Sequence, residues 1–114
     1  IGAADRASYV TTKTALIGLT RAVALEVAKL DITCNAVAPG AVRATNADNA
    51  IHALMDKHGI DEDTATAQFL DGKNPSGRFA AAESVAELCA FLCSEAGRDI
   101  NGAVLPVDNG WAAA

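Results

Sequence analysis

Basic residues are scarce in this chain of 114 residues. Lys and Arg together number 9 against 14 Asp and Glu, which gives a formal net charge of −5 and a pI near 4.8. No cluster of Lys or Arg is present that could meet the phosphates of a nucleic acid or of an anionic lipid surface. The sequence therefore predicts no nucleic-acid partner and no membrane partner.

Long apolar runs and a paired set of cysteines are also lacking. No run of about 18 apolar residues and no basic-then-apolar leader occurs in the sequence. Three cysteines are an odd number, which is typical of a reducing compartment rather than of a disulfide framework. The hydrophobic content of 51% is that of a globular chain. We therefore expect a cytoplasmic protein with a packed core.

Apolar spacing in the first third of the chain predicts one long helix followed by one strand. The helix is expected from Ser8 to Lys29, since apolar residues recur there at intervals of three and four. The positions expected to form its buried stripe are Leu16, Leu19, Val23 and Val27. The run Ile32–Ala38 contains β-branched residues and stops at Pro39-Gly40, which predicts a buried strand.

Three shorter helices and a second strand are predicted in the remainder. The helices are expected at Asn46–His58, Asp61–Asp71 and Glu83–Ala96, each ending at a glycine. The last of them is expected to turn Val85, Leu88, Cys89 and Leu92 inward. The run Ala103–Val107 contains Pro106, which has no N–H to donate and so predicts a strand at a sheet edge. This order indicates an α/β fold, rich in helix, with two parallel strands.

A phenol and an ammonium stand four residues apart near the start of the first helix. Tyr9 and Lys13 would therefore lie side by side on one helix face. A phenol ordinarily titrates near pH ~10, so it moves protons at neutral pH only when its anion is stabilised, as a nearby ammonium does. The pair predicts proton transfer to or from an alcohol. The alternative is an amphipathic helix with a solvated lysine.

The order of several motifs gives the chain a resemblance to a known family. Ser8-Tyr9-Val10-Thr11-Thr12-Lys13 is followed by Pro39-Gly40-Ala41-Val42 and, at the end, by Val107-Asp108-Asn109-Gly110-Trp111. In this order they resemble the C-terminal half of a Rossmann-like short-chain dehydrogenase/reductase (SDR). Asn74-Pro75-Ser76-Gly77-Arg78-Phe79 and Gly97-Arg98-Asp99-Ile100-Asn101-Gly102-Ala103 look most like bacterial 3-hydroxybutyrate dehydrogenases.

The resemblance implies an oxidoreductase mechanism and a cofactor. Tyr9 would exchange the proton of a substrate hydroxyl while hydride passes to or from NAD. Lys13 would stabilise the phenolate and hold ribose hydroxyls of the cofactor. The backbone of Pro39, Gly40 and Val42 would meet the nicotinamide carboxamide, since ligands bind at the carboxyl ends of parallel strands. The alternative for this segment is a simple turn after a strand.

Further site residues follow from the same resemblance. Arg6 falls where relatives carry a cation for the carboxylate of a small hydroxy acid, and Trp111 matches an aromatic that closes over that acid. Ala44 stands where the family usually has a threonine that contacts cofactor phosphate. Thr45 follows one residue later and is the candidate for that contact; the alternative is that the contact is lost. The alternatives are a solvated Arg6 and a Trp111 buried in a subunit contact.

The resemblance also makes clear which family features these 114 residues do not contain. A glycine-rich phosphate turn is missing, and so is a serine about a dozen residues before Tyr9. The sequence begins at Ile1 without Met. We therefore expect residues 1–114 to be a single partial domain, without a cofactor-binding N-terminal half and inactive by itself. The alternative is a non-catalytic remnant that forms a homo-oligomer through the helix Ser8 to Lys29.

Two smaller expectations complete the analysis. Cys89 and Cys93 share a helix face, but no third ligand lies nearby, so we expect a core role and no metal. Asn109 replaces a glycine of the family, which a positive φ would permit, because Asn adopts that region more readily than most residues.

Overall fold

A computed structural model describes residues 5–113 of the chain. Its helices and strands confirm the predicted order of one helix, one strand, three helices and one strand. They are α1 (Ala7–Val27), β1 (Ala36–Pro39), α2 (Thr45–His58), α3 (Glu62–Leu70), α4 (Ala82–Leu92) and β2 (Val104–Val107). Short 3₁₀ turns follow α1, α4 and β2, at Ala28–Leu30, Glu95–Gly97 and Trp111–Ala113.

The two strands pair in parallel, as the sequence predicts. The N–H of Ala36 donates to the carbonyl of Ala103 at 2.9 Å, and the N–H of Gly40 donates to the carbonyl of Val107 at 3.1 Å. Both strands advance by four residues in the same sense between these two bonds, which is the pattern of a parallel ladder. The sheet contains these two strands only within the described part of the chain.

Side-chain amides take over the pairing just before β1. The N–H of Cys34 donates to Oδ1 of Asn101 at 2.9 Å. Asn35 donates from Nδ2 to the carbonyl of Ile100 at 2.7 Å, and its Oδ1 accepts the N–H of Ala103 at 3.0 Å. The backbone is therefore satisfied here without a regular ladder.

The predicted strand Ile32–Ala38 is consequently wrong at its start and in its burial. β1 begins four residues later, at Ala36, and is half-buried to exposed along its length. Ile32 itself is 51% exposed. The β-branched composition of this run was a correct signal for a strand nearby, but the asparagine pairing displaced the regular part of it.

The described chain divides into two compact units. The first comprises the residues up to Ala38 together with Glu87–Leu105. In it, Nδ2 of Asn101 donates to the carbonyl of Ala24 at 3.0 Å, and Ala24 is buried. This bond ties the segment before β2 to the C-terminal part of α1.

The second unit comprises Pro39–Ala86 and the residues from Pro106 onward. Helices α2 and α3 pack against one another within it. Its core consists of small and medium apolar side chains: Ala47, Ile51, Ala65, Leu70 and Ala80. Ile51 is the largest side chain that is fully buried among the described residues.

The predicted buried stripe of α1 is wrong for this chain. Leu16 is 48% and Leu19 is 58% exposed, while Val23 and Val27 are half-buried. The buried residues of α1 are Thr20 and Ala24. Periodicity located an apolar face correctly, but burial depends on what packs against that face, and spacing alone does not supply this.

The predicted helix Glu83–Ala96 ends early. α4 stops at Leu92, and the chain continues into the 3₁₀ turn Glu95–Gly97. Cys89 and Cys93 are both exposed, so the core role expected for them is wrong. No group of three or more His, Cys, Asp or Glu side chains in residues 5–113 is placed to bind a metal.

The ends of α2 and α3 follow their sequence signals. Gly59 takes φ +62° after α2 and donates its N–H to the carbonyl of Met55 at 2.8 Å. Asp61 caps α3, since its Oδ1 accepts the N–H of Thr64 at 2.8 Å. Hydrogen bonds from the side chain and backbone of Thr64 lower the pKa of the Asp61 carboxyl below its ordinary value.

The fully buried Ile51 provides a direct test of the second unit. Ile51→Ala should lower the free energy of unfolding by about 2–5 kcal/mol, because it leaves a cavity in the core, and Ile51→Val by about 0.5–1.5 kcal/mol. The measurement is urea unfolding followed by circular dichroism. The control is His52→Ala, exposed on the same helix, which should change the value by less than about 0.5 kcal/mol. Equal effects of Ile51→Ala and His52→Ala would contradict this core.

Candidate active site

The amino end of α1 presents a phenol flanked by two cations. Nζ of Lys13 lies 5.7 Å from the centre of the Tyr9 ring, and Cζ of Arg6 lies 6.0 Å from it. Arg6 is the residue just before the helix. The i, i+4 and i, i−3 spacings on a helix place both cations on the Tyr9 side of α1.

The Tyr9 side chain is open to solvent. It is 54% exposed, so its hydroxyl is not enclosed by aliphatic neighbours. The hydroxyl of Thr12 donates to the backbone carbonyl of Tyr9 at 2.9 Å. This bond does not involve the phenol hydroxyl of Tyr9. A reachable phenol beside an ammonium is the arrangement that proton exchange with a bound alcohol requires.

The segment after β1 is held by a very close backbone approach at Gly40. A Cβ built at this position would lie 2.8 Å from Oδ1 of Asn74 and 2.8 Å from Cα of Asp108. Real Cβ atoms do not approach a backbone carbon so closely, so only glycine fits here. Gly40 thus has a structural requirement of its own, whatever role Pro39 and Val42 have toward a ligand.

Asn74 is the main contact of this segment. Its Oδ1 accepts the N–H of Ala41 at 3.1 Å, and its Nδ2 donates to the carbonyls of Ala41 at 3.1 Å and Arg78 at 2.8 Å. The side chain is almost fully buried, with 3% of Asn74 exposed. The carbonyl of Ala41 also accepts the N–H of Ala80 at 2.8 Å. The backbone beyond β1 is therefore fixed from two sides.

Asp108 fixes the turn that carries Trp111. Its two carboxylate oxygens accept the N–H groups of Gly110 at 3.0 Å and Ala112 at 2.8 Å. Just before Gly110, Asn109 has φ +54°, which is the condition under which asparagine can stand where the family has glycine. Trp111 is half-buried in this turn.

The start of α2 lacks a side-chain cap. Ala44 occupies the N-cap position without a cap hydrogen bond, and Thr45 is the first residue of the helix and exposed. Backbone N–H groups at a helix start, together with the helix dipole, favour anions. The phosphate contact expected of Thr45 stays a prediction.

The predicted site residues divide between the two units. Arg6, Tyr9 and Lys13 lie together in the first unit. The other predicted residues lie in the second unit: Pro39, Gly40, Val42, Thr45 and Trp111. The ligand roles assigned to all of them from the sequence stay predictions.

Two supporting residues were missed as individuals by the sequence analysis. Asn74 was noted only within a turn-rich motif and Asp108 only within the closing motif. An amide before Pro75 and an acid before Asn109-Gly110 are typical of side chains that bind nearby backbone. That signal marks a turn, but it does not reveal that Asn74 binds Ala41, 33 residues earlier.

Comparison with known proteins assigns the family. A family model described as Enoyl-(Acyl carrier protein) reductase matches residues 1–112. Dehydrogenase/reductase SDR family member 6 of Rattus norvegicus is 37% identical over 110 residues, covering 96% of this chain and 42% of the relative. The chain belongs to the short-chain dehydrogenase/reductase family. D-beta-hydroxybutyrate dehydrogenase of Cupriavidus necator is 34% identical over 113 residues, 99% of this chain and 44% of that protein.

Solved SDR structures share the fold. A short chain dehydrogenase family protein from Francisella tularensis matches with a TM-score of 0.87 and 32% identity, covering 100% of this chain and 47% of that one. L-sorbose reductase from Gluconobacter frateurii, solved with NADPH and L-sorbose, matches with a TM-score of 0.82 and 31% identity, covering 90% and 39%. The chain thus spans less than half the length of these relatives. None of the helices within residues 5–113 is long and apolar enough to cross a membrane.

The close approach at Gly40 generates a testable prediction. Gly40→Ala should destabilise the second unit by about 1–3 kcal/mol, because the added methyl must displace Asn74 or the Asp108 backbone. Gly18→Ala is the matched control, since a Cβ there meets nothing within 4 Å. It should be neutral or should stabilise by up to about 1 kcal/mol, because alanine favours a helix interior. Thermal unfolding of the two variants compares them, and a neutral Gly40→Ala would refute the packing described here.

Proposed function

We propose that this chain supplies the catalytic and substrate-binding part of an NAD-dependent oxidoreductase that acts on a small 3-hydroxy acid. The observation that carries the proposal is the exposed Tyr9 phenol with the Lys13 ammonium 5.7 Å from its ring. The similarity to D-beta-hydroxybutyrate dehydrogenase over 99% of the chain supports the substrate class. We place the protein in the cytoplasm, in keeping with its composition and cysteine content.

The donor groups present suit one half of a nicotinamide nucleotide. An ammonium and a phenol, both on the exposed face at the start of α1, are the right chemistry to hydrogen-bond ribose hydroxyls. The uncapped start of α2, with Thr45 as its first residue, is the right chemistry for a phosphate oxygen. Lys13 and Thr45 would hold the cofactor, and Pro39, Gly40 and Val42 would offer backbone groups to its carboxamide. When bound, the cofactor supplies or accepts the hydride.

The protein's own contribution to the reaction is proton transfer at Tyr9. In the oxidation of a hydroxy acid, Tyr9 acts as its phenolate, takes the hydroxyl proton and becomes a neutral phenol. In the reverse direction the phenol gives this proton to the carbonyl oxygen and becomes the phenolate. Lys13 stabilises the phenolate in both directions by Coulomb attraction. Exclusion of water strengthens this attraction, because the effective dielectric constant falls.

Two residues are proposed to select an acid substrate. Arg6 carries a guanidinium that pairs with a carboxylate in a planar, bidentate way. It stands on the Tyr9 side of α1, so an acid held by Arg6 brings its hydroxyl carbon toward the phenol. Trp111, fixed by the Asp108 turn, offers a flat apolar surface for the short carbon chain of the substrate.

Turnover is proposed to require the part of the family fold that these 114 residues do not contain. The reaction gains its high effective molarity when substrate and nicotinamide are held in the reacting geometry. Holding the nicotinamide there needs contacts to the cofactor phosphates and adenine. No glycine-rich phosphate turn occurs in the sequence. We therefore expect this chain to bind and turn over its substrates only when a dinucleotide-binding half completes it.

A fusion tests the proposal. The segment of Cupriavidus necator D-beta-hydroxybutyrate dehydrogenase that precedes its matching region is joined to this chain, and reduction of NAD by 3-hydroxybutyrate is followed by absorbance. The fusion should turn over, and Tyr9→Phe should lower kcat by about 10²–10⁴-fold, because it removes the proton-transferring hydroxyl. Thr14→Val, exposed on the same helix, is the matched control and should keep the rate. A fusion that folds but does not reduce NAD would contradict the proposal.

The exposed apolar face of α1 favours a second candidate, self-association without catalysis. Leu16 and Leu19 expose about half of their side-chain surface, and contiguous exposed apolar surface marks interaction sites. In this alternative the chain is a non-catalytic remnant that assembles with its own copy through α1. Burial of the α1 face would then supply the driving force for a homo-oligomer.

Sedimentation velocity distinguishes this alternative. The chain should form a dimer or larger species, and Leu19→Lys should shift it to the monomer, because a charge on the α1 face opposes its burial. Thr14→Lys adds the same charge to the opposite side of the helix and should leave the assembly unchanged. A wild-type chain that sediments as a monomer at high concentration would exclude it.

A further inference from the structure

Arg43 directly follows the candidate cofactor-facing segment Pro39–Val42, and its guanidinium binds two different helices. Nε donates to Oδ1 of Asp48 on α2 at 2.8 Å, and Nη2 donates to Oε1 of Glu62, the first residue of α3, at 2.6 Å. One planar group thus connects the chain just after β1 to the helices that follow it.

An aromatic surface supports the same guanidinium. Cζ of Arg43 lies 5.9 Å from the centre of the Phe79 ring, and this ring stacks on Phe69 of α3 at 5.8 Å with an interplanar angle of 29°. Phe79 immediately precedes Ala80, whose N–H donates to the carbonyl of Ala41. Arg43 therefore contacts α2, α3 and Phe79, the residue before the Ala80 that binds the carbonyl of Ala41.

The exposure of these groups indicates what such a link can do. The side chains of Arg43, Asp48 and Glu62 are 47%, 40% and 51% exposed, and ion pairs of this kind contribute little to global stability. However, the planar guanidinium of Arg43 bonds to two carboxylates for a single loss of side-chain rotamer freedom. It also fixes the direction of both hydrogen bonds as well as their length. The effect expected of Arg43 is therefore on the position of the segment.

We propose that Arg43 is a positioning residue, which transmits the placement of α3 through Glu62 to the segment Pro39–Val42. The link itself is independent of any ligand. Its consequence for the cofactor depends on the proposed function, because only then does Val42 face a nicotinamide. Lysine is a poor substitute in this role, since a point charge cannot satisfy both carboxylates in one plane.

Hydrogen–deuterium exchange on the 114-residue chain tests the link. Glu62→Gln should raise the exchange rate of peptides containing Ala41 and Val42 about five- to tenfold, although Glu62 pairs with Arg43 and these residues lie about 20 positions before it. Arg43→Lys should produce a smaller increase than Arg43→Gln, because it keeps the charge and one bond. The matched control is Glu83→Gln, which removes an exposed acid from the first turn of α4 and should leave these peptides unchanged.

The salt dependence of exchange distinguishes loss of the ion pair from a general loss of helix stability. At 1 M salt the Debye length is about 3 Å, so exchange at Ala41 and Val42 should rise in the wild type but hardly at all in Glu62→Gln. The proposal would be overturned if exchange became faster in α3 alone, or if the exchange rate rose uniformly over all peptides. Since no cofactor is present in these measurements, their failure leaves the proposed function standing, and failure of the fusion to turn over leaves the link standing.

Discussion

The side-chain amide of Asn74 imitates a neighbouring strand, and the candidate cofactor-facing segment depends on it. By accepting the N–H and donating to the carbonyl of Ala41, it reproduces both bonds that a paired strand residue makes. Because Asn74 is buried, its own amide groups could not turn to water if these bonds were lost. The absence of Cβ at Gly40 is what allows Asn74 and Asp108 to come this close. Amide, glycine and acid thus form one local constraint.

The same chemistry recurs in the first unit, where Asn35 and Asn101 satisfy the backbone just before the two paired strands. Within residues 5–113, side-chain amides thus continue the hydrogen bonding beyond the ends of the two paired strands. An amide carries a donor and an acceptor in one plane, so it can replace one peptide unit of a ladder. Such positions tolerate substitution poorly, since aspartate would lack the donor and leucine would lack both groups.

Local features of this fold were predictable from sequence and non-local ones were not. The helix ends at Gly59 and Asp61 and the adjacency of Tyr9 and Lys13 follow from spacings of three or four residues, so periodicity and capping rules locate them. The exposure of Leu16 and the late start of β1 depend on surfaces and partners distant in sequence. The contacts of Asn74 and Arg43 span 33 and up to 19 residues, and no local pattern encodes them. The family resemblance supplied roles for Arg6 and Trp111 that spacing could not.

The carboxylate of Asp108 has an optical consequence. It immobilises the turn of the only tryptophan in the chain, so the tryptophan emission of these 114 residues originates from one half-buried indole. Trp111 comes three residues after Asp108, whose backbone lies against Gly40. This fluorophore therefore reports on a single, well-fixed neighbourhood, and changes in its emission wavelength or lifetime need no separation among several indoles.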